Sequence, residues 1–197
     1  EADRFLEALV EMIGRIRVGY AEDAAEPFLG PVITAETGQR VQQAQKELLK
    51  RGATSRVPLE SLRGNDALLS PGLLEITSLG ETGDEEIFGP LLQVTRVDSF
   101  AQAIESANRT RYGLSAGLFS DNPECYREFL LKIRAGVVNW NRQTTGASGR
   151  LPFGGCGLSG NHRPSGYFAA DYCSFPVASL ESSRVEIPPT LQPGIEL

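Results

Sequence analysis

The sequence predicts an α/β fold built on a mostly parallel sheet. Two observations carry this expectation. Between Leu91 and Trp140, short apolar or β-branched runs alternate with segments of helical length, the pattern of helices packed on parallel strands. The chain also has 197 residues, enough to bury about 70% of its unfolded surface without a disulfide or metal staple. It has no internal repeat and no low-complexity tract, so solenoid architectures are set aside.

The elements follow in order. Leu6, Leu9, Val10, Ile13 and Ile16 share one face of a helix over residues 3–16, since they are spaced by threes and fours. Pro27, Gly30 and Pro31 mark a loop. Thr34, or alternatively Thr37, caps a helix that runs to about Arg51 and stops at Gly52, with Val41, Ala44, Leu48 and Leu49 on its apolar side. Residues 53–83 are less regular, with short strands at Leu68-Leu69 and at 73–76 around Ser70-Pro71-Gly72. Residues 91–97 read as a strand. Ser99 caps a helix through Asn108, with Phe100, Ala103, Ile104 and Ala107 periodic. Residues 114–119 form a strand, and Pro123 opens a helix that reaches about Arg134. Residues 137–140 read as a buried strand, 146–160 as a glycine-rich loop, and 172–178 as a last strand. The tail from Ile187, with Pro188, Pro189 and Pro193, should lie extended on the surface.

Composition excludes some functions. Acidic residues number 25 and basic residues 19, a net charge of −6. A nucleic-acid or anionic-membrane partner would favour a basic face instead. No apolar run approaches the ~20 residues of a membrane span, and no signal-peptide core follows Glu1-Ala2-Asp3. Cys125, Cys156 and Cys173 are odd in number, contain no C-x-x-C pair and have only His162 to join them. Neither a zinc site nor a disulfide framework is expected, and the chain reads as reduced and cytoplasmic. The first residue is Glu1 and the only methionine is Met12, so the expectation is either that first residues were removed or that this is the tail of a longer polypeptide.

Four groupings invite chemistry. Gly155-Cys156-Gly157-Leu158-Ser159-Gly160 matches G-x-G-x-x-G. A dinucleotide fingerprint needs a strand before it and a helix starting within it. Pro152 and Pro164 flank this one, so a tight glycine loop against which other backbone packs is the better reading. Cys125, near a helix start, is the most favoured thiol, but most lone cysteines are small buried hydrophobes, and none of the three is taken as a nucleophile. His162 beside Arg163 could bind an anion, although a surface histidine at a turn is commoner. Asp84-Glu85-Glu86 is an acidic run of the kind that is usually solvated. It is followed at once by Ile87-Phe88-Gly89-Pro90. A carboxylate there can accept two hydrogen bonds from a ribose diol, and an aromatic can pack on a cofactor ring.

Glu85-Glu86-Ile87-Phe88-Gly89-Pro90 resembles the E-E-I-F-G-P signature of the aldehyde dehydrogenase superfamily. Gly30-Pro31-Val32-Ile33 resembles its G-P-x-I loop, and residues 108–114 its N-x-T-x-Y-G-L segment. Residues 134–139 and Pro152-Phe153-Gly154-Gly155 follow in the family's order. Residues 139–143, 145–147, 160–165, 169–173 and 190–195 resemble a semialdehyde-oxidising branch that serves the succinyltransferase route of arginine catabolism.

The resemblance implies a three-layer α/β/α catalytic-domain fold, incomplete at its N-terminus. Residues 1–170 would form the C-terminal part of the catalytic domain, and 171–197 an oligomerisation strand and tail making a homo-oligomer. In the family a cysteine thiolate attacks the aldehyde, hydride passes to NAD, and a glutamate-activated water cleaves the thioester. No catalytic residue carries over. Gly38-Gln39-Arg40-Val41 has valine where a G-Q-x-C segment has the nucleophile, so the chain alone is expected to be inactive. Glu86 and Phe88 match the groups that meet the nicotinamide ribose and ring. Thr145, Gly146 and Ala147 match a loop that grips a substrate carboxylate. Arg142 is a further anion partner chosen on charge alone. The selection of NAD over NADP is not carried by these residues. Another semialdehyde dehydrogenase, or a non-catalytic oligomerisation domain, is the alternative.

Overall fold

The computed structural model describes residues 2–80, 82–146, 148–161, 164–186, 190 and 193–195. Two compact units emerge, Glu1–Arg111 with Arg127–Ile133, and Tyr112–Tyr126 with Arg134–Leu197.

In the first unit, helix α1 (Ala2–Gly14) buries Leu6 and Ile13, while Leu9, Val10 and Ile16 are half-buried. Helix α2 (Ala35–Lys50) begins at Thr34, whose hydroxyl accepts the Thr37 N–H at 3.2 Å. That bond satisfies one of the amides a helix start leaves open. Val41 and Leu48 turn inward, and Leu49 lies out at 37% exposure. Strands β1 (Thr54–Val57), β4 (Gly72–Glu75) and β5 (Leu91–Val94) form a sheet in the order β1-β4-β5. Strand β1 is antiparallel to β4, and β5 is parallel to it.

Strands β2 (Ser61–Leu62) and β3 (Asn65–Leu69) make an antiparallel hairpin. Its turn holds Arg63 at φ 53° and Gly64 at φ 68°, the left-handed pair that matches strand twist. Arg63 is unusual there, but its guanidinium grips both Asp23 oxygens at 2.9 and 2.7 Å.

Strand β4 is central, and its burial agrees with that position. Leu73 and Leu74 are both fully buried, although successive strand residues face opposite sides of a sheet. Leu74 joins Val41, Leu48, Leu59, Leu69, Ile76 and Leu91 in one cluster. Helix α3 (Phe100–Asn108) is capped by Ser99, which accepts the Gln102 N–H at 3.1 Å, and it buries Ile104.

The second unit carries β6 (Ser115–Leu118) and β7 (Val137–Trp140), paired in parallel. Helix α4 (Pro123–Lys132) lies between them in sequence. Tyr126 stacks on Trp140 at 4.8 Å, and the indole N–H donates to the Ser120 carbonyl at 2.8 Å. All four β7 residues are half-buried, not buried as the sequence predicts, because a two-stranded sheet covers a strand along one edge only. Strands β8 (Pro152–Phe153) and β9 (Ser165–Gly166) pair antiparallel.

The fold is therefore α/β, with mixed sheets. Parallel pairing occurs at β4–β5, at β6–β7 and at the isolated Val18–Leu29 bridge, and the pairings β1–β4, β2–β3 and β8–β9 are antiparallel. Residues 172–178 differ from the expected strand. A short helix α5 (Ala169–Tyr172) ends there, and the following residues join no ladder. A strand needs a neighbour to take its amides and carbonyls, and the described residues provide none. Most of the tail from Ile187 lies outside the described residues, as do His162, Arg163 and Ala147. No helix among the described residues is long and apolar enough to cross a membrane.

Candidate functional site

In the first unit, the chain between the 3-10 turn Thr77–Leu79 and β5 carries the acidic run. Asp84 is not merely solvated. Its carboxylate accepts the Thr110 hydroxyl at 2.5 Å, the Arg111 N–H at 2.8 Å and the Arg111 Nε–H at 3.0 Å. Those donors, the Thr110 hydroxyl foremost, hold its carboxyl below the usual carboxylate range. Three residues on, Ile87 packs against the Val41–Leu74 cluster. Its neighbours Glu86 and Phe88 are exposed, Phe88 at 72%. Glu85 is exposed as well, so Ile87 is the one side chain of residues 85–88 that turns toward the core. Gly89 then presses on Val41, where a Cβ would come within 2.4 Å of a valine methyl.

The outcome is an exposed carboxylate and an exposed aromatic ring on a short loop anchored at Asp84, Ile87 and Gly89. A carboxylate can accept two hydroxyls of a diol, and an aromatic face can pack on a flat ring.

In the second unit, the chain leaves β7 through Asn141, held at φ 51°. The Asn141 side chain accepts the Ser120 N–H at 2.9 Å and donates to the Ser120 carbonyl at 3.1 Å. The Asn139 amide donates to the Gln143 carbonyl at 2.7 Å and closes the turn. Arg142 and Thr145 are exposed beyond it, with Gly146 at φ 88°. Thus Glu86 and Phe88 belong to one unit, and Arg142, Thr145 and Gly146 to the other.

The glycine motif at 155–160 is a packing knot. The Gly155 N–H donates to Ser159 O at 3.2 Å, and a Cβ on Gly160 would sit 1.8 Å from Gly155 O. Only a 3-10 turn, Gly157–Ser159, lies within it. Cys156 is half-buried with its Sγ 3.7 Å from the Gly113 carbonyl, Cys125 is half-buried, and Cys173 is exposed.

Sequence reasoning missed the Asp84 anchor. Its partner Thr110 stands inside the N-x-T-x-Y-G-L segment, 26 residues on. A hydroxyl within a motif was the available signal.

The sequence profile of the aldehyde dehydrogenase family matches residues 1–175, and the chain belongs to that family. It is 49% identical over 195 residues to an N-succinylglutamate 5-semialdehyde dehydrogenase of Ectopseudomonas mendocina (strain ymp), covering 99% of this chain and 40% of that protein. It superposes on a salicylaldehyde dehydrogenase from Pseudomonas putida G7, complexed with salicylaldehyde, with a TM-score of 0.78 and 27% identity over 95% of this chain and 38% of that one. A double mutant of betaine aldehyde dehydrogenase from Staphylococcus aureus in complex with NAD+ matches with a TM-score of 0.75 and 26% identity, over 86% of this chain and 35% of that one. The chain thus spans about two fifths of the length of the curated relative.

Proposed function

We propose that these residues serve the NAD-dependent oxidation of N-succinylglutamate 5-semialdehyde to its carboxylate, a step of arginine catabolism by the succinyltransferase route, in the cytoplasm. The observation that carries this reading is the 49% identity spread over 99% of the chain. The chemistry of the residues supports it. NAD, when bound, supplies the acceptor for the aldehyde's hydride. Glu86 would accept the hydrogen bonds of the nicotinamide ribose, and Phe88 would flank the ring. Both are exposed and need no unpacking to reach a ligand.

The substrate carries carboxylates away from its aldehyde. Thr145, Gly146 and Ala147 would bind one of them through hydroxyl and backbone N–H groups, and Arg142 would pair with another. A Gly at φ 88° lets the loop backbone approach an anion closely. The thiolate, the water-activating base and the dinucleotide fold come, in this reading, from residues outside these 197. Residues 171–197 would complete a homo-oligomer by pairing with a neighbouring sheet.

Assay with the semialdehyde and NAD tests the proposal. The 197-residue chain alone is expected to give no NADH. Joined to a G-Q-x-C segment and a dinucleotide-binding fold, it is expected to turn over the succinylated semialdehyde in preference to salicylaldehyde. Turnover by the isolated chain would overturn the division of labour, and Cys125→Ala, Cys156→Ala and Cys173→Ala would then find the nucleophile.

A further inference from the structure

We propose that Asp84 is a positioning residue for the cofactor: by tying the loop to residues 110–111, it fixes how Glu86 and Phe88 are presented. The proposal rests on the cofactor reading above and deepens it.

The loop is pinned at three places within six residues. Asp84 takes three donors, from the Thr110 hydroxyl and the Arg111 main and side chains. Ile87 packs on the core cluster. Gly89 lies against Val41, and the next carbonyl, of Pro90, accepts the Gly72 N–H of the central strand at 2.8 Å. From Asp84 to Ile87 the chain advances three residues, a reach of about 10 Å at most. With both ends held, Glu85 and Glu86 have little slack. Without Asp84, the pins that remain on this loop among the described residues are Ile87 and Gly89, both on the far side of Glu86. The carboxylate would then swing with a tether fixed at one end.

This matters for the chemistry asked of Glu86. Accepting two hydroxyls of one diol demands placement within roughly half an ångström, and a site on a loop depends on supporting groups for that. Asp84 is suited to the support role because its own charge is already engaged. The Arg111 guanidinium faces it at 3.0 Å, so it adds less repulsion to its neighbours Glu85 and Glu86 than a bare third carboxylate would.

Two measurements test the assignment. In the chain itself, Asp84→Asn is expected to speed amide hydrogen exchange at Arg111, whose N–H the Asp84 carboxylate accepts, about tenfold, while Leu73 and Leu74 in the central strand stay protected. In an active dehydrogenase bearing these residues, the same substitution is expected to raise the NAD concentration for half-saturation about tenfold and leave the aldehyde KM within about twofold. Thr110→Val, which keeps shape and removes one donor, should move both readouts in the same direction by less, and it serves if Asp84→Asn fails to fold. Unchanged exchange at Arg111 overturns the proposal. So does an unchanged NAD dependence in both variants when Glu86→Gln raises it. If Glu86→Gln leaves the NAD dependence alone, the cofactor reading itself fails and this proposal falls with it.

Discussion

Gly38 and Gly14 have opposite surroundings, and that difference predicts opposite responses to the same substitution. A Cβ at Gly38 would sit 1.8 Å from the Asp66 carbonyl oxygen, whereas one at Gly14 would meet nothing within 4 Å. The obstacle at Gly38 is backbone, which no rotamer change removes. Gly38→Ala is expected to cost about 1–3 kcal/mol or more, as overpacking does. Gly14→Ala, at the end of α1, is expected to be neutral or to stabilise by up to about 1 kcal/mol through a less flexible unfolded chain. Urea midpoints of the two variants against the parent would read this, and a Gly38 variant at least as stable as the parent would refute it. Glu86 belongs to a third class. It is exposed, so Glu86→Gln should leave the urea midpoint within about 0.5 kcal/mol of the parent, and its effect should be confined to cofactor use.

At the scale of elements, the helices were legible because their signals are local. Thr34 and Ser99 cap α2 and α3 with hydroxyls that lie next to the amides they serve. Each cap replaced by alanine, Thr34→Ala or Ser99→Ala, is expected to lower stability by about 1 kcal/mol. Thermal unfolding followed by circular dichroism would show the two losses, and they should add in the double variant, since distant sites act independently.

The strands were legible only in part, because a strand is defined by its partner. The central strand β4 and its parallel neighbour β5 announced themselves by apolar runs. The hairpin β2–β3 did not, since Arg63-Gly64 is not one of the usual two-residue turn signals. Its left-handed Arg63 is held by Asp23, 40 residues away. Residues 172–178 have strand-like composition but no neighbour among the described residues. The same logic divides the candidate site. Glu86 and Phe88 could be picked out from a contiguous motif, but the anchor that orders them joins residues 26 positions apart, a relation that only the fold reveals.

Over the whole molecule, charge gives the first unit a specific weakness to acid. Six carboxylates among the described residues are held below their ordinary range: Asp3, Asp23, Glu36, Asp66, Glu75 and Asp84. All of them lie in the first unit. The most enclosed is Glu75 at the end of β4, with 13% side-chain exposure. Arg56 donates to its Oε2 at 2.9 and 2.5 Å, and Arg96 donates to its Oε1 at 2.7 Å. Arg96 also reaches Asp3 of α1 at 2.7 Å. The Arg56 hydrogen bond is the main cause of the lowered Glu75 value.

A carboxyl that ionises more readily folded than unfolded stabilises the fold at any pH above its unfolded value, and that contribution is lost as pH falls through its folded value. For Glu75 the loss begins below its ordinary value of 4.5, and for the four aspartates below 3.8. Stability should therefore be flat around neutrality and fall progressively below about pH 4.5. Glu75→Gln should be less stable than the parent at pH 7, and the two should converge as the pH falls below 4.5 and through the folded value of Glu75, where the parent's own carboxylate takes up its proton. Denaturant midpoints at pH 7, 4 and 3, with amide exchange at Leu73 and Leu74 as the local readout, would follow the convergence. A gap that stayed constant across that range would mean that Glu75 acts through its shape and not through its charge.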